Sequence, residues 1–185
     1  MPSSRPWEDA SKSPAYPTTG QRCPSPFHTP QSPRQPRGWP QPRRTLMNTM
    51  RLLIVDDEKD LCRILADRLH ILYGITPDIA HTGDQALEMA RAKRYDVVVL
   101  DIEMPGIDGI ETLKRLKEID KKIQVVLFTG HGNEERQRMA EVLGAFSYVD
   151  KIDGLPKLAP MIEGAFRLRK LLEDTYAEAA LNEYN

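Results

Sequence analysis

From Met50 onward the chain alternates short apolar runs with longer stretches in which apolar residues recur every three or four positions. The runs cover residues 51–55 (RLLIV), 76–80, 97–100 (VVVL), 123–128 and 145–149. Runs so short and so rich in β-branched residues predict strands buried on both faces, because a half-exposed strand alternates polar and apolar positions. The run at 76–80 is the weakest, and its Pro77 suits an edge strand, where a missing N–H is not needed. The periodic stretches predict helices. The first carries Leu61, Ile64, Leu65, Leu69 and Leu72 and closes near Gly74. The second, capped by Thr82 with Gln85 as reciprocal partner, runs through Ala86, Leu87 and Ala90 to about Ala92. A third follows Gly109 with Ile110, Leu113 and Leu116; a fourth, capped by Asn133, carries Met139, Ala140 and Leu143 and stops at Gly144. The last has Pro156 in its first turn and Leu158, Ile162, Ala165, Phe166, Leu168, Leu171 and Leu172 along one face.

Strand and helix thus alternate five times, with strands too apolar to face water and connections short enough for right-handed crossovers. The fold class expected is α/β, a doubly wound five-stranded parallel sheet between two layers of helices. Neither GxxxxGK nor GxGxxG occurs, so nucleotide binding has little support.

Composition divides the chain. Eleven of the fifteen prolines and both tryptophans, Trp7 and Trp39, precede Leu46, among few aliphatic residues. That stretch is about five charges positive, which leaves residues 47–185 at −6 within an overall net charge of −1. A Pro/Ser/Arg-rich segment of this kind buries too little apolar surface to offset chain ordering, so 1–48 is read as a disordered extension. A docking segment, a polyanion-binding arm and a misassigned start upstream of Met47 or Met50 are the alternatives for it. The expected organisation is that extension, one domain over 50–172, and a helical or frayed extension over 173–185. Cys23 and Cys62 lack partners at metal-ligand spacing, and Cys62 reads as a small core residue. No run reaches the ~18 apolar residues of a membrane span, no secretory signal is visible, and a reducing cytoplasm is expected. The basic cluster Arg167, Arg169 and Lys170 reads as a solvated face rather than a nucleic-acid patch.

In a parallel sheet all carboxyl-terminal strand ends lie on one rim, where ligands bind. That rim collects Asp56, Asp57 and Glu58 after the first strand, Asp101 after the third, Thr129 after the fourth and Lys151 after the fifth. Carboxylates about 4 Å apart repel by roughly 4 kcal/mol per pair at an effective dielectric near 20. Something positive is therefore expected among them, and Mg²⁺ held by a few carboxylates plus a phosphate is a usual solution. A lysine then offers a point charge to phosphate oxygens, a threonine a hydrogen bond, and Asp101 a carboxylate nucleophile able to form an aspartyl phosphate.

The motifs LLIVDDE, VVVLDIEMPGIDG, VVLFTGHG and GAFSYVDK, in that order and with 44, 28 and 22 residues separating Asp57, Asp101, Thr129 and Lys151, resemble those of the receiver domain of two-component response regulators, the CheY-like family. The resemblance covers residues 51–169. It implies a flavodoxin-like strand order of 2-1-3-4-5 and phosphorylation of Asp101 by a sensor histidine kinase or a histidine phosphotransfer protein. It further implies Mg²⁺ bound by Asp57, Asp101 and the Glu103 carbonyl, with Asp56 acting through water. Thr129 and Lys151 would contact the phosphoryl group, and Tyr148 would be the aromatic switch that turns inward when Thr129 moves. Glu103 and His131 occupy positions at which the family varies and which are expected to adjust dephosphorylation rate.

Such a receiver is a signalling switch rather than an enzyme with a separate substrate. The expected output is protein binding, to a downstream target or as a phosphorylation-dependent homodimer, by a stand-alone receiver that contacts neither DNA nor membrane. Family members usually have proline after the lysine; here Ile152 follows, and a trans peptide is expected because a non-proline cis bond costs about 2.5–4 kcal/mol. Two readings from other classes compete. A haloacid-dehalogenase-like phosphatase wants a second aspartate where Glu103 stands, and a phosphate-independent interaction module would need none of the rim chemistry.

Overall fold

All five apolar runs form strands in the computed structural model of the protein, which describes residues 47, 49–130 and 134–182, the side chains of 176–182 apart. The strands are β1 (Leu52–Val55), β2 (Asp78–Ala80), β3 (Val97–Leu100), β4 (Gln124–Thr129) and β5 (Ser147–Asp150). They pair in parallel in the order β2-β1-β3-β4-β5, which is the expected topology. Between them lie α1 (Lys59–Tyr73), α2 (Gly83–Ala92), α3 (Gly109–Ile119) and α4 (Glu134–Val142). After β5 a 3-10 turn (Lys151–Asp153) leads into α5 (Gly154–Asn182). Of the segment 1–48, read as disordered, Met47 is instead buried in the core, and residues 1–46 and 48, like the cap at Asn133, lie outside the described residues.

Alternation along the strands builds the two cores. Leu52, Ile54, Val97, Val99, Val126, Phe128 and Val149 face α1 and α5, meeting Cys62, Leu65, Leu69, Leu158, Ile162 and Phe166. Met47 and Met50 are buried in the same cluster. Their neighbours along each strand, Leu53, Val55, Val98, Leu100, Val125 and Leu127, point the other way into Ala86, Leu87, Leu113, Leu116 and Ala140. Every residue of β1 and β3 is buried, which explains why neither run alternates.

Local signals act close to where they were expected. Gly74 closes α1 in the left-handed conformation at φ 71°, where a side chain would be strained. Thr82 caps α2 by accepting from the Gln85 N–H at 3.2 Å. Gln85 does not return the bond to Thr82; its Oε1 accepts from the His81 N–H at 2.8 Å, one residue further out. The peptide before Ile152 is trans, as expected.

Two further expectations are corrected. Ile64 and Met139 follow the helical period yet are each 52% exposed, because the sheet covers a narrower stripe than the sequence pattern offers. Arg169, placed on a solvated face from sequence, is 1% exposed. Its guanidinium reaches Asp120 Oδ2 at 2.9 Å, Glu173 Oε1 at 3.0 Å and Asp96 Oδ1 at 3.8 Å, joining α5 to the starts of β3 and β4. Arg51 completes this group with a 2.9 Å contact to Asp96 Oδ1.

Candidate functional site

Strand register sets the level of the acids. Val55 pairs with Leu100, so the residues that follow, Asp56 and Asp101, leave adjacent strands side by side. The Asp101 N–H donates to the Val55 carbonyl at 2.9 Å and the Asp56 N–H to the Ala80 carbonyl at 3.1 Å, extending the ladder one step beyond the strands. Gly109 then lets the loop after β3 fold back onto the acid. A Cβ there would sit 2.2 Å from the Asp101 carbonyl oxygen and 2.6 Å from Ile102 Cα, so no larger residue fits without moving the main chain under Asp101.

The side chains converge as the rim argument requires. One carboxylate oxygen from each of Asp56, Asp57 and Asp101 lies within 4.8 Å of the others; Asp56 and Asp101 are buried and Asp57 is exposed. Lys151 enters from β5 and places Nζ 2.7 Å from Asp101 Oδ2, 2.9 Å from Asp56 Oδ2 and 2.7 Å from Glu58 Oε1. The positive charge expected among the acids is this ammonium. Main-chain donors add to it: Glu58 N–H bonds Asp56 Oδ1 at 2.9 Å and Glu103 N–H bonds Asp101 Oδ1 at 3.2 Å.

Burial pushes the Asp56 carboxyl above its usual range, despite the opposing pull of Lys151 and the Glu58 N–H. For Lys151, burial alone would lower the ammonium, but its hydrogen bonds to Asp101, Asp56 and Glu58 outweigh that and hold it above the ordinary lysine value. The result is a fixed positive charge beside carboxylates that remain under-neutralised. An all-oxygen donor set of this kind suits a hard divalent cation.

Thr129 ends β4 opposite Asp150, and Tyr148 lies two residues earlier on β5, opposite Leu127. Both hydroxyls are buried without a hydrogen-bond partner. A buried hydroxyl in that condition has lost water without compensation, so each is ready for a partner that arrives or a position that changes. Glu103 directs its carboxylate outward to Arg136 at 3.4 Å and meets the acids through its N–H. His131 lies outside the described residues.

Glu58, expected on the rim, takes a part not assigned to it, and His81 was not in the expected set. Glu58 shares Lys151 with the aspartates. His81, directly after β2, places Nδ1 3.0 Å from the Asp56 carbonyl oxygen. Strand β2 ends on the same rim as the others, so reading its last position like theirs would have found this residue.

Comparison with known proteins agrees with this geometry. Residues 52–163 match the family model described as response regulator receiver domain. Over 122 residues the chain is 36% identical to sporulation initiation phosphotransferase F of Bacillus subtilis (strain 168), covering 62% of this chain and 98% of that protein. It is 34% identical over 124 residues to the regulatory protein AtoC of Escherichia coli (strain K12), covering 67% of this chain and 27% of AtoC. Of two further relatives it spans about half the length, 50% and 56%. The solved structure of response regulator protein TrrA from Thermotoga maritima, in complex with Mg(2+)-BeF, matches with a TM-score of 0.58 at 30% identity, over 63% of this chain and 98% of that one. With a parallel sheet in the order 2-1-3-4-5, an acid cluster crossed by a distant lysine, and a family match over most of the described residues, the chain belongs to the response regulator receiver domain family.

Proposed function

We propose that Asp101 accepts a phosphoryl group from the phosphohistidine of a sensor histidine kinase or a histidine phosphotransfer protein, and that phosphorylation switches which protein the chain binds. The observation that carries this reading is the position of Lys151 Nζ, 2.7 Å from an Asp101 carboxylate that lies within 4.8 Å of two further aspartates. Transfer breaks the donor P–N bond and forms a P–O bond to an Asp101 carboxylate oxygen. The imidazole leaves with the electron pair and takes up a proton.

Asp57, Asp101 and the Glu103 carbonyl would hold Mg²⁺, with Asp56 contributing through water. Bound there, Mg²⁺ neutralises the carboxylates and the incoming phosphoryl oxygens. Lys151 exchanges a carboxylate for phosphoryl oxygens, and the Thr129 hydroxyl gains the partner it lacks by donating to one of them. The added charge of about −1.5 to −2 draws both groups inward. Tyr148, whose hydroxyl is likewise unpartnered, moves into the space Thr129 leaves, altering the surface of α4, β5 and α5. Driving such a two-state element from 1:99 to 99:1 takes roughly 5.5 kcal/mol of differential stabilisation.

The phosphoryl-accepting unit is taken as 50–172, followed by an extension over 173–185, of which 173–182 continue α5. The output is binding of a downstream protein or of a second phosphorylated copy rather than direct DNA contact. Action as a stand-alone receiver is supported by the match over 98% of sporulation initiation phosphotransferase F. Among the described residues no helix is long and apolar enough to cross a membrane, and the reading places the chain in the cytoplasm with its kinase.

The test is Mg²⁺-dependent labelling of the full chain by acetyl phosphate and by a set of phosphorylated histidine kinases, read by intact mass. One phosphoryl group per chain in the wild type and none in Asp101→Asn is expected. Labelling that survives Asp101→Asn, or a wild type inert with every donor, overturns the reading.

A further inference from the structure

We propose that His81 is a positioning residue for Asp57, acting through the main chain of Asp56; the inference rests on the reading of Asp57 as a cation ligand given above. Of the three clustered aspartates, Asp57 alone is exposed. Asp56 and Asp101 are each held by Lys151 and by a main-chain N–H. No such bond holds the Asp57 carboxylate among the described residues. Its direction is therefore set by the peptide that leads into it, the Asp56–Asp57 unit.

That peptide lies beyond the end of β1, where its carbonyl has no neighbouring strand to pair with. Two side chains take over. The Cys62 Sγ sits 3.3 Å from the Asp56 carbonyl oxygen and His81 Nδ1 sits 3.0 Å from it. A carbonyl oxygen only accepts, so the His81 proton in this contact is on Nδ1. Burial pushes the Cys62 thiol up to about 11, which keeps it an S–H donor, though a weak one. The stronger of the two donors is the imidazole.

His81 is itself well fixed. It follows β2 directly, its own N–H donates to Gln85 Oε1 at 2.8 Å, and the Asp56 N–H returns to Ala80 beside it at 3.1 Å. The β2–α2 turn and the β1–α1 turn are thus tied in both directions, through Asp56 N–H to Ala80 and through His81 to the Asp56 carbonyl. Freeing that carbonyl lets the peptide rotate, and Asp57 swings with it. A purely structural histidine would affect unfolding alone; a positioning one also changes how tightly the acids hold a cation.

The experiment is a calorimetric titration of the full chain with MgCl₂, comparing wild type, His81→Ala and His81→Asn, with urea midpoints recorded in parallel. Loss of an orienting partner outside the ligand set weakens metal binding by about tenfold or more. His81→Ala is expected to raise the Mg²⁺ Kd about tenfold, and His81→Asn, whose amide N–H can reach the same oxygen, to recover most of it. Long-range ¹⁵N correlation of the wild-type imidazole is expected to place the proton on Nδ1. Should His81→Ala not fold, His81→Leu against His81→Asn makes the same comparison. Equal Kd values in a wild type that does bind Mg²⁺ overturn this role and leave the cation site standing. A wild type that binds no Mg²⁺ removes both.

Discussion

The two ends of the parallel sheet hold charge in opposite ways. At the carboxyl-terminal rim four carboxylates, Asp56, Asp57, Glu58 and Asp101, stand around one ammonium, that of Lys151. At the base three carboxylates, Asp96, Asp120 and Glu173, meet Arg51, Arg169 and Lys170. Charges at the base are matched; those at the rim are not. The carboxyl pKa values follow. Burial pushes Asp56 up, whereas at Asp96 and Asp120 burial is outweighed by Arg51 and Arg169 respectively, and at Glu173 the Lys170 hydrogen bond leads, so all three lie below the usual range. A balanced cluster stabilises a fold. An unbalanced one keeps its free energy available for whatever cation or phosphoryl group arrives.

The largest expected effect tests the base. Arg169→Met takes a cation from three buried or half-buried carboxylates, Asp96, Asp120 and Glu173, a class of change that costs about 3–5 kcal/mol. Urea unfolding followed by circular dichroism is expected to show that loss, and addition of Mg²⁺ is not expected to restore it selectively. A variant as stable as the wild type would mean that the two ends differ less than their geometry indicates.

Asp56→Asn, at the rim, is expected to act in the opposite direction. Because the folded protein holds the Asp56 proton more tightly than the unfolded chain does, its contribution favours folding at low pH. That contribution fades as pH rises from the usual carboxylate range through the raised value. Removing the carboxylate is therefore expected to raise the stability of the metal-free protein at pH 7 and to weaken its stabilisation by Mg²⁺. The base carboxylates have the reverse sign: their stability is complete above the usual range and is lost as pH falls through their lowered values. Urea midpoints across pH 3–7, wild type against variant, separate the two. A lower midpoint for Asp56→Asn at pH 7 would break the contrast.

Glu58→Gln gives the smallest effect. Its side chain is 62% exposed, and Lys151 keeps its other two partners. Under 0.5 kcal/mol is expected in the same unfolding assay, and a larger loss would show that the exposed acid, not the buried pair, holds the ammonium.

How far the sequence could be read follows from the same division. Asp56, Asp57, Asp101, Thr129 and Lys151 each stop or closely follow an apolar run, and parallel pairing leaves such residues nowhere but on one rim. Arg169 gave no such signal. It stands between Arg167 and Lys170, and only the docking angle of α5 decides which of the three cations turns inward. His81 was missed because β2 is three residues long and partly exposed, so its end was not treated as a rim position. Ile64 and Met139 show the converse: a period fixes a direction around a helix but not the width of the stripe that the sheet covers.

The resting contact between Lys151 and Asp101 has one more consequence. The ammonium already fills part of the space toward which the aspartates point, so a divalent ion entering there must share or displace a resident counterion rather than occupy bare acid. Affinity for the ion then depends on how readily the turn after β5 lets the lysine retreat. That turn, Lys151–Asp153 closed by Gly154, is the very connection in which Ile152 stands where the family usually has proline.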